Sequence, residues 1–172
     1  DLPFLVDVKT QKMIRRSDME HAANDEDHHK YMEEFYCMNK ATGKVALMPG
    51  TEGSKIKSLR LDEQGIEPQL EGTWTITDMH GNKREVTTVF EMLKKSAAKF
   101  SPESIQEVTG VHPSTTRQLA RDIALPKVVE ITTGFSLNKY FNGVMSIWNI
   151  SSICGLTGRM GPYGGLNTEN EF

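Results

Sequence analysis

Cysteine is scarce in this chain: Cys37 and Cys154 are the two among 172 residues, and neither lies in a CxxC pair or a Cys/His cluster. An iron–sulfur or zinc site built wholly within the chain is therefore not expected, and no metal ligand is assigned. Cys154 reads as a free buried thiol. Long apolar runs are also missing. None reaches the roughly 18 residues of a spanning helix, and no secretory leader is visible. The longest apolar-rich stretch, FNGVMSIWNISSICGLTG, is broken by Asn142, Asn149 and serines and reads as a buried helix. Net charge is small, −3, without the basic surplus that nucleic acid or an anionic membrane surface calls for. No Ser/His/Asp or Cys/His arrangement and no paired carboxylates in a strand-end loop are found, so no complete active site is legible.

What is present fits a globular α/β chain with a core. Residues 1–86 form a strand- and hairpin-rich segment. LPFLVDVKTQKMIRRSDM predicts two short strands around a turn at Lys9–Lys12. The acidic stretch of about residues 20–35, with His21, His28 and His29, reads as a solvated surface insertion, because consecutive histidines do not present both rings to one ion. FYCMNKATGKVALM predicts a hairpin turning at Thr42-Gly43, and GTWTITDMHGNKREV a second, with His80 an exposed turn residue. The residues up to Gln69 read as extended loop.

Residues 87–172 form the α/β segment. Val89, Phe90, Leu93 and Ala97 fall at helical spacing. Ser101-Pro102-Glu103 is a helix start and Gly110 a helix stop, with Ile105 and Val108 facing inward. A third helix starts near Pro113, with Leu119 and Ile123 as its core face. KVVEITTGF is a strand, followed by a loop over 134–140 and the helix from about Phe141 to Leu156. Strand, loop and helix make half of a βαβ unit of a mainly parallel sheet, whose ligands sit beyond the strands' carboxyl ends.

Two constellations stand out. In GLTGRMGPYGG, Gly155, Gly158, Gly161 and Gly164 recur every third residue, followed by Gly165. The run lacks the Lys-Ser/Thr of a phosphate loop and the strand-to-helix setting of a dinucleotide fingerprint. A helix cap with tight turns and a close backbone approach to a ligand both remain open. The second is Asn138-Lys139-Tyr140, where a strand-end lysine can aim its ammonium at an anion, or simply be an exposed loop residue.

FSPESIQEVTGVHPSTTRQLARDIA resembles a segment of the molybdopterin oxidoreductases, and ITTGFSLNKYFNGVMSIWNISSICGLTGRMGPYGGLN is similar to the strand, loop and helix that end in a glycine cluster there. DLPFLVDVKTQKMIRRSDM and LEGTWTITDMHGNKREVTTVFEMLK resemble the family's preceding segments. The order is kept along nearly the whole chain, apart from the acidic insertion. The nearest resemblance is to the type II branch of the dimethyl sulfoxide reductase superfamily. That branch includes nitrate reductase, nitrite oxidoreductase, the perchlorate, chlorate and selenate reductases, and the dimethyl sulfide and ethylbenzene enzymes.

The resemblance implies an internal piece of a multi-domain catalytic subunit. It would use a molybdenum bis(molybdopterin guanine dinucleotide) cofactor, with an iron–sulfur cluster and the molybdenum ligand outside this window. Lys139 and Asn138 become the candidate catalytic residues, one a cation for an oxyanion and the other a hydrogen-bonding partner. Gly134, Ser136, Tyr140, Gly161, Gly164 and Gly165 become the candidate cofactor contacts. Nitrite oxidation or nitrate reduction is the leading reaction, with the other branch substrates, or a non-catalytic α/β binding domain, as alternatives. The implied partners are a small oxyanion, an iron–sulfur electron-transfer beta subunit and a haem subunit. The implied setting is bacterial and membrane-associated through those partners, with the periplasmic side favoured over the cytoplasmic.

Overall fold

A computed structural model of the protein describes residues 2–49, 60–126, 128–158 and 165–168. It resolves into two compact units, Asp1–Lys99 and Phe100–Phe172.

In the first unit, β1 (Leu5–Asp7), β4 (Thr73–Thr77) and β5 (Lys83–Thr88) form an antiparallel sheet in the order β1-β5-β4. β2 (Tyr36–Asn39) and β3 (Lys44–Leu47) form a separate hairpin. Both predicted hairpins are present. Gly43 takes a φ of +66° and Gly81 of +81° at their turns, the left-handed region that side chains rarely adopt. Alternation in TWTIT sends Ile76 inward and leaves Thr73, Thr75 and Thr77 exposed. Leu5, Ile14, Tyr36, Met38, Ile76 and Val86 make the main core, and Phe4, Cys37 and Met48 a second cluster. Each fully buried aliphatic side chain contributes about 1.5–3 kcal/mol. Burial pushes the Cys37 thiol up to about 11, which leaves it protonated and inert at neutral pH.

The acidic stretch is not a loop. Asp25–Glu33 form helix α2, with the Asn24 side chain accepting from the Asp27 N–H at 2.8 Å. Asp25, Glu26 and Asp27 occupy its first turn, where carboxylates favour the helix dipole, and Lys30 pairs with Glu26 at 2.8 Å. Caps and charges hold this helix without an apolar face, so hydrophobic periodicity does not reveal it. The short α1 (Arg16–Met19) precedes it. Arg16 bonds Glu20 and the buried Glu34, at 2.8 and 2.9 Å, and its guanidinium lies 4.0 Å from the Tyr31 ring centroid. The Tyr36 hydroxyl donates to Glu20 at 2.6 Å. Helix α3 (Val89–Ala97) starts on a Thr88 cap.

The second unit opens with α4 (Pro102–Thr109), capped by Ser101 and stopped by Gly110 at φ +71°, and continues into α5 (Pro113–Ala124). Arg117 of α5 bonds Glu103 of α4 at 2.6 Å. β6 (Glu130–Thr133) and β7 (Gly165–Thr168) pair parallel, joined by the crossover that contains α6 (Gly143–Leu156). The βαβ expectation is met by this pair.

Two expectations about burial are corrected. Val108 is 88% and Leu119 58% exposed, so neither faces a core. The apolar helix α6 is not buried: Gly143 and Cys154 are its buried residues, while Val144, Met145 and Trp148 are exposed. Leu119 and Ile123 of α5 line an apolar pocket with Ile153 and Leu156 of α6, but among the described residues nothing buries Val108, Val144, Met145 or Trp148. Among the described residues, no helix is long and apolar enough to cross a membrane.

Candidate functional site

The candidate site is the connection between β6 and α6. Strand β6 ends at Thr133 and is followed by Gly134, whose backbone stays extended at φ −81° and ψ 160°. The expected loop is instead a 3-10 turn over Phe135–Lys139. Its hydrogen bonds run from the Leu137 N–H to the Gly134 carbonyl at 3.1 Å and from the Tyr140 N–H to the Leu137 carbonyl at 3.3 Å. A sequence of Gly, Ser, Leu and Asn reads as loop because it lacks periodicity, yet a short 3-10 turn needs none. The Gly143 N–H then bonds the Tyr140 carbonyl at 2.9 Å, which fixes the entry into α6.

This turn brings Gly134, Ser136, Asn138, Lys139 and Tyr140 together beyond the carboxyl end of β6. Ser136 and Lys139 are exposed, and Tyr140 is 72% exposed. Phe141 stands fully exposed beside them, ahead of α6 instead of inside a buried helix. An aromatic pair directly after a lysine was the available signal for Phe141. Gly134 needs neither unusual backbone torsion nor internal space: an added Cβ would meet nothing within 4 Å. Any reason for glycine there lies outside the described atoms.

Gly165 is not part of this group. As the first residue of β7 it stands opposite Glu130, at the amino end of the strand pair. That is on the order of 10 Å along the strand from the turn, at about 3.3 Å per residue. Gly161 and Gly164 lie outside the described residues. Gly158 adopts φ +68° just past α6, which fixes its role as a helix-terminating residue.

From Ile131 to Gly158 the sequence carries a single charged residue, Lys139. That stretch of sequence therefore sets one cation among hydroxyls, amides and aromatics. Such a surface suits an anion or the phosphates of an elongated ligand. Among the described residues, no group of three or more His, Cys, Asp or Glu could hold a metal ion.

A polar cluster in the first unit had no sequence signal beyond the turn residues DMHGN. Asp78 accepts from the His80 and Asn82 N–H groups at 2.9 and 2.8 Å and from Arg84 Nε at 2.9 Å, while Arg84 also reaches Asp18 at 3.4 Å. Burial would raise the Asp78 carboxyl, but the bonds from Asn82, Arg84 and His80 outweigh it and hold it down at about 2. The side chain is saturated with internal donors, so its role is to fix the hairpin turn.

The chain is 39% identical over 170 residues to the chlorate reductase subunit alpha of Ideonella dechloratans, covering 99% of this chain and 17% of that protein. It is also similar to an oxidoreductase subunit with a different substrate. The dimethylsulfide dehydrogenase subunit alpha of Rhodovulum sulfidophilum is 33% identical over 169 residues, with 98% of this chain and 17% of that protein covered. The chain is similar to one segment of oxidoreductase alpha subunits. The respiratory nitrate reductase subunit alpha of Haloferax mediterranei aligns over 170 residues at 29% identity, covering 95% of this chain and again 17% of the relative. No protein-family model matches the chain. These homologues are alpha subunits of type II enzymes of the dimethyl sulfoxide reductase superfamily, the group its motifs resemble.

Proposed function

We propose that the chain is a segment of the catalytic subunit of a molybdenum-dependent oxidoreductase, and that the turn after β6 contributes to its substrate and cofactor site. The observation that carries this reading is the placement of Lys139 in the turn at the carboxyl end of a parallel strand pair, in a chain aligned over nearly its whole length with three such alpha subunits.

The residues suit the cofactor class. A bis(molybdopterin guanine dinucleotide) group is long and anionic, and the site offers a cation, hydroxyl groups and a glycine with open space over it. When bound, the molybdenum centre supplies the oxygen-atom and two-electron exchange. Gly134, Ser136 and Tyr140 line the cofactor at the turn. Gly161, Gly164 and Gly165 would be further cofactor contacts, proposed from the sequence resemblance, where the lack of a side chain would permit close approach. Lys139 attracts the oxyanion and holds its charge in a fixed direction, and Asn138 hydrogen-bonds substrate or cofactor.

The reaction is oxygen-atom transfer on a small oxyanion. Nitrate reduction or nitrite oxidation is the first reaction to assay, because the branch resemblance favours it and a nitrate reductase subunit is among the relatives. Chlorate is the second reading, favoured by the 39% identity to the chlorate reductase subunit. An iron–sulfur beta subunit and a haem subunit carry the electrons, at the periplasmic face of a bacterial membrane. Turnover of nitrate, nitrite and chlorate by the full-length protein, before and after Lys139→Ala, tests the assignment. Loss of turnover with molybdenum content retained supports it, and unchanged turnover of every oxyanion removes Lys139 from the mechanism.

A further inference from the structure

His21 and His80 lie far apart in sequence but meet edge to face, with ring centroids 6.2 Å apart and planes at 83°. Both are exposed, one following α1 and the other in the β4–β5 turn. Their backbones are held on both sides. The Met79 N–H bonds the Asp18 carbonyl at 3.0 Å and Arg84 links Asp78 to Asp18, which ties the turn to α1. Glu20, immediately before His21, is gripped by Arg16 and Tyr36. Asp78 accepts from the His80 N–H at 2.9 Å. The ion pairs that pin these segments join Asp18, Glu20, Glu34 and Asp78 to Arg16 and Arg84, with Arg15 and Lys83 in the same two segments.

We propose that His21 and His80 form a two-imidazole site for a divalent transition ion of the Zn2+, Ni2+ or Cu2+ type, with water completing the coordination. Imidazole is a preferred ligand for these ions. Two rings bound through nitrogens at about 2.0–2.1 Å each leave their centroids roughly 5–6 Å apart. The observed 6.2 Å lies just beyond that range, so binding calls for the two rings to turn their nitrogens toward a shared ion. His28 and His29 provide the internal contrast. Their centroids are 6.5 Å apart, but consecutive helical residues diverge around the helix and do not converge on one ion. The inference is independent of the molybdenum reading.

The test is Zn2+ equilibrium dialysis with the full-length protein, compared with H21A, H80A, H80N, H21A/H80A and H28A/H29A. H80N keeps a residue suited to the turn if H80A disturbs it. The expected result is one Zn2+ equivalent present in the parent and in H28A/H29A, weakened at least ten-fold in H21A, H80A and H80N, and absent in H21A/H80A. Retention of that equivalent in H21A/H80A overturns the proposal, as does its absence from the parent.

Discussion

Thr133 of β6 stands opposite Thr168 of β7 at the last register position of a parallel pair, and the turn that follows Thr133 ends at Lys139. A right-handed crossover is the normal connection for such a pair, and it leaves the following turn at the sheet's ligand-binding edge.

Gly134 and Gly158 separate two reasons for glycine. At Gly158, with φ +68°, alanine is expected to cost about 1 kcal/mol locally. Amide hydrogen exchange in the last turn of α6 should then be about five-fold faster, by RT of about 0.6 kcal/mol. Gly134→Ala meets no internal clash at an ordinary φ, so exchange around β6 should not change. Under the proposed function its pterin content falls instead. Normal pterin content in a folded Gly134→Ala protein removes close approach at that position.

Asp78 sets an acid limit on the β4–β5 hairpin. Its folded pKa is depressed, so its stabilisation is present above the ordinary carboxylate value of about 3.9. It is lost as pH falls through the folded value of about 2. Trp74 fluorescence, followed from pH 5 to 2, should report loosening across that window, since Trp74 lies in β4 of this hairpin and packs against the core. Asp78→Asn should be less stable at neutral pH and lose most of that acid dependence. An identical acid profile in the variant contradicts the role given to Asp78.

Arg16 neutralises a carboxylate that has almost no access to water, because the Glu34 side chain is 2% exposed. Removing one partner of a buried pair leaves the other uncompensated, at about 3 kcal/mol. Arg16→Met should therefore speed exchange across β2 and α2 strongly. Arg16→Met/Glu34→Gln should recover part of the loss. Equal effects of the single and double variants would show that the pair is not the source.

The hairpins, the caps at Ser101 and Gly110 and the succession of β6, turn and α6 were legible because each rests on a local pattern, alternation, a capping residue, or a strand–helix change of period, whereas β7 after the glycine cluster was not. Helix α2 was not, because Asn24 and a run of acids hold it without an apolar stripe. The Asp18–Arg84–Asp78 cluster and the His21–His80 contact join distant segments, which no local pattern encodes. At the candidate site the sequence revealed which residues share the turn, but not that Gly165 stands at the opposite end of the strand pair. Register, not composition, decides that.

The uncovered faces yield a further expectation. Trp148 is 64% exposed, and Val144, Met145 and Leu156 of the same helix are also exposed. A patch of this kind marks a packing surface. The chain spans 17% of the length of the relatives described above, so other segments of a longer polypeptide are the proposed cover. The 172-residue chain alone should bind an anilinonaphthalene dye strongly and melt without a sharp transition. A cooperative melt with no dye binding contradicts this.

The most direct measurement is the molybdenum and pterin content of the purified full-length protein, by elemental analysis and by fluorescence of the oxidised pterin. One molybdenum and two pterins per polypeptide are predicted, together with turnover of at least one small oxyanion. A correctly folded full-length protein that contains neither molybdenum nor pterin, after expression in a host that makes the cofactor, would contradict the account.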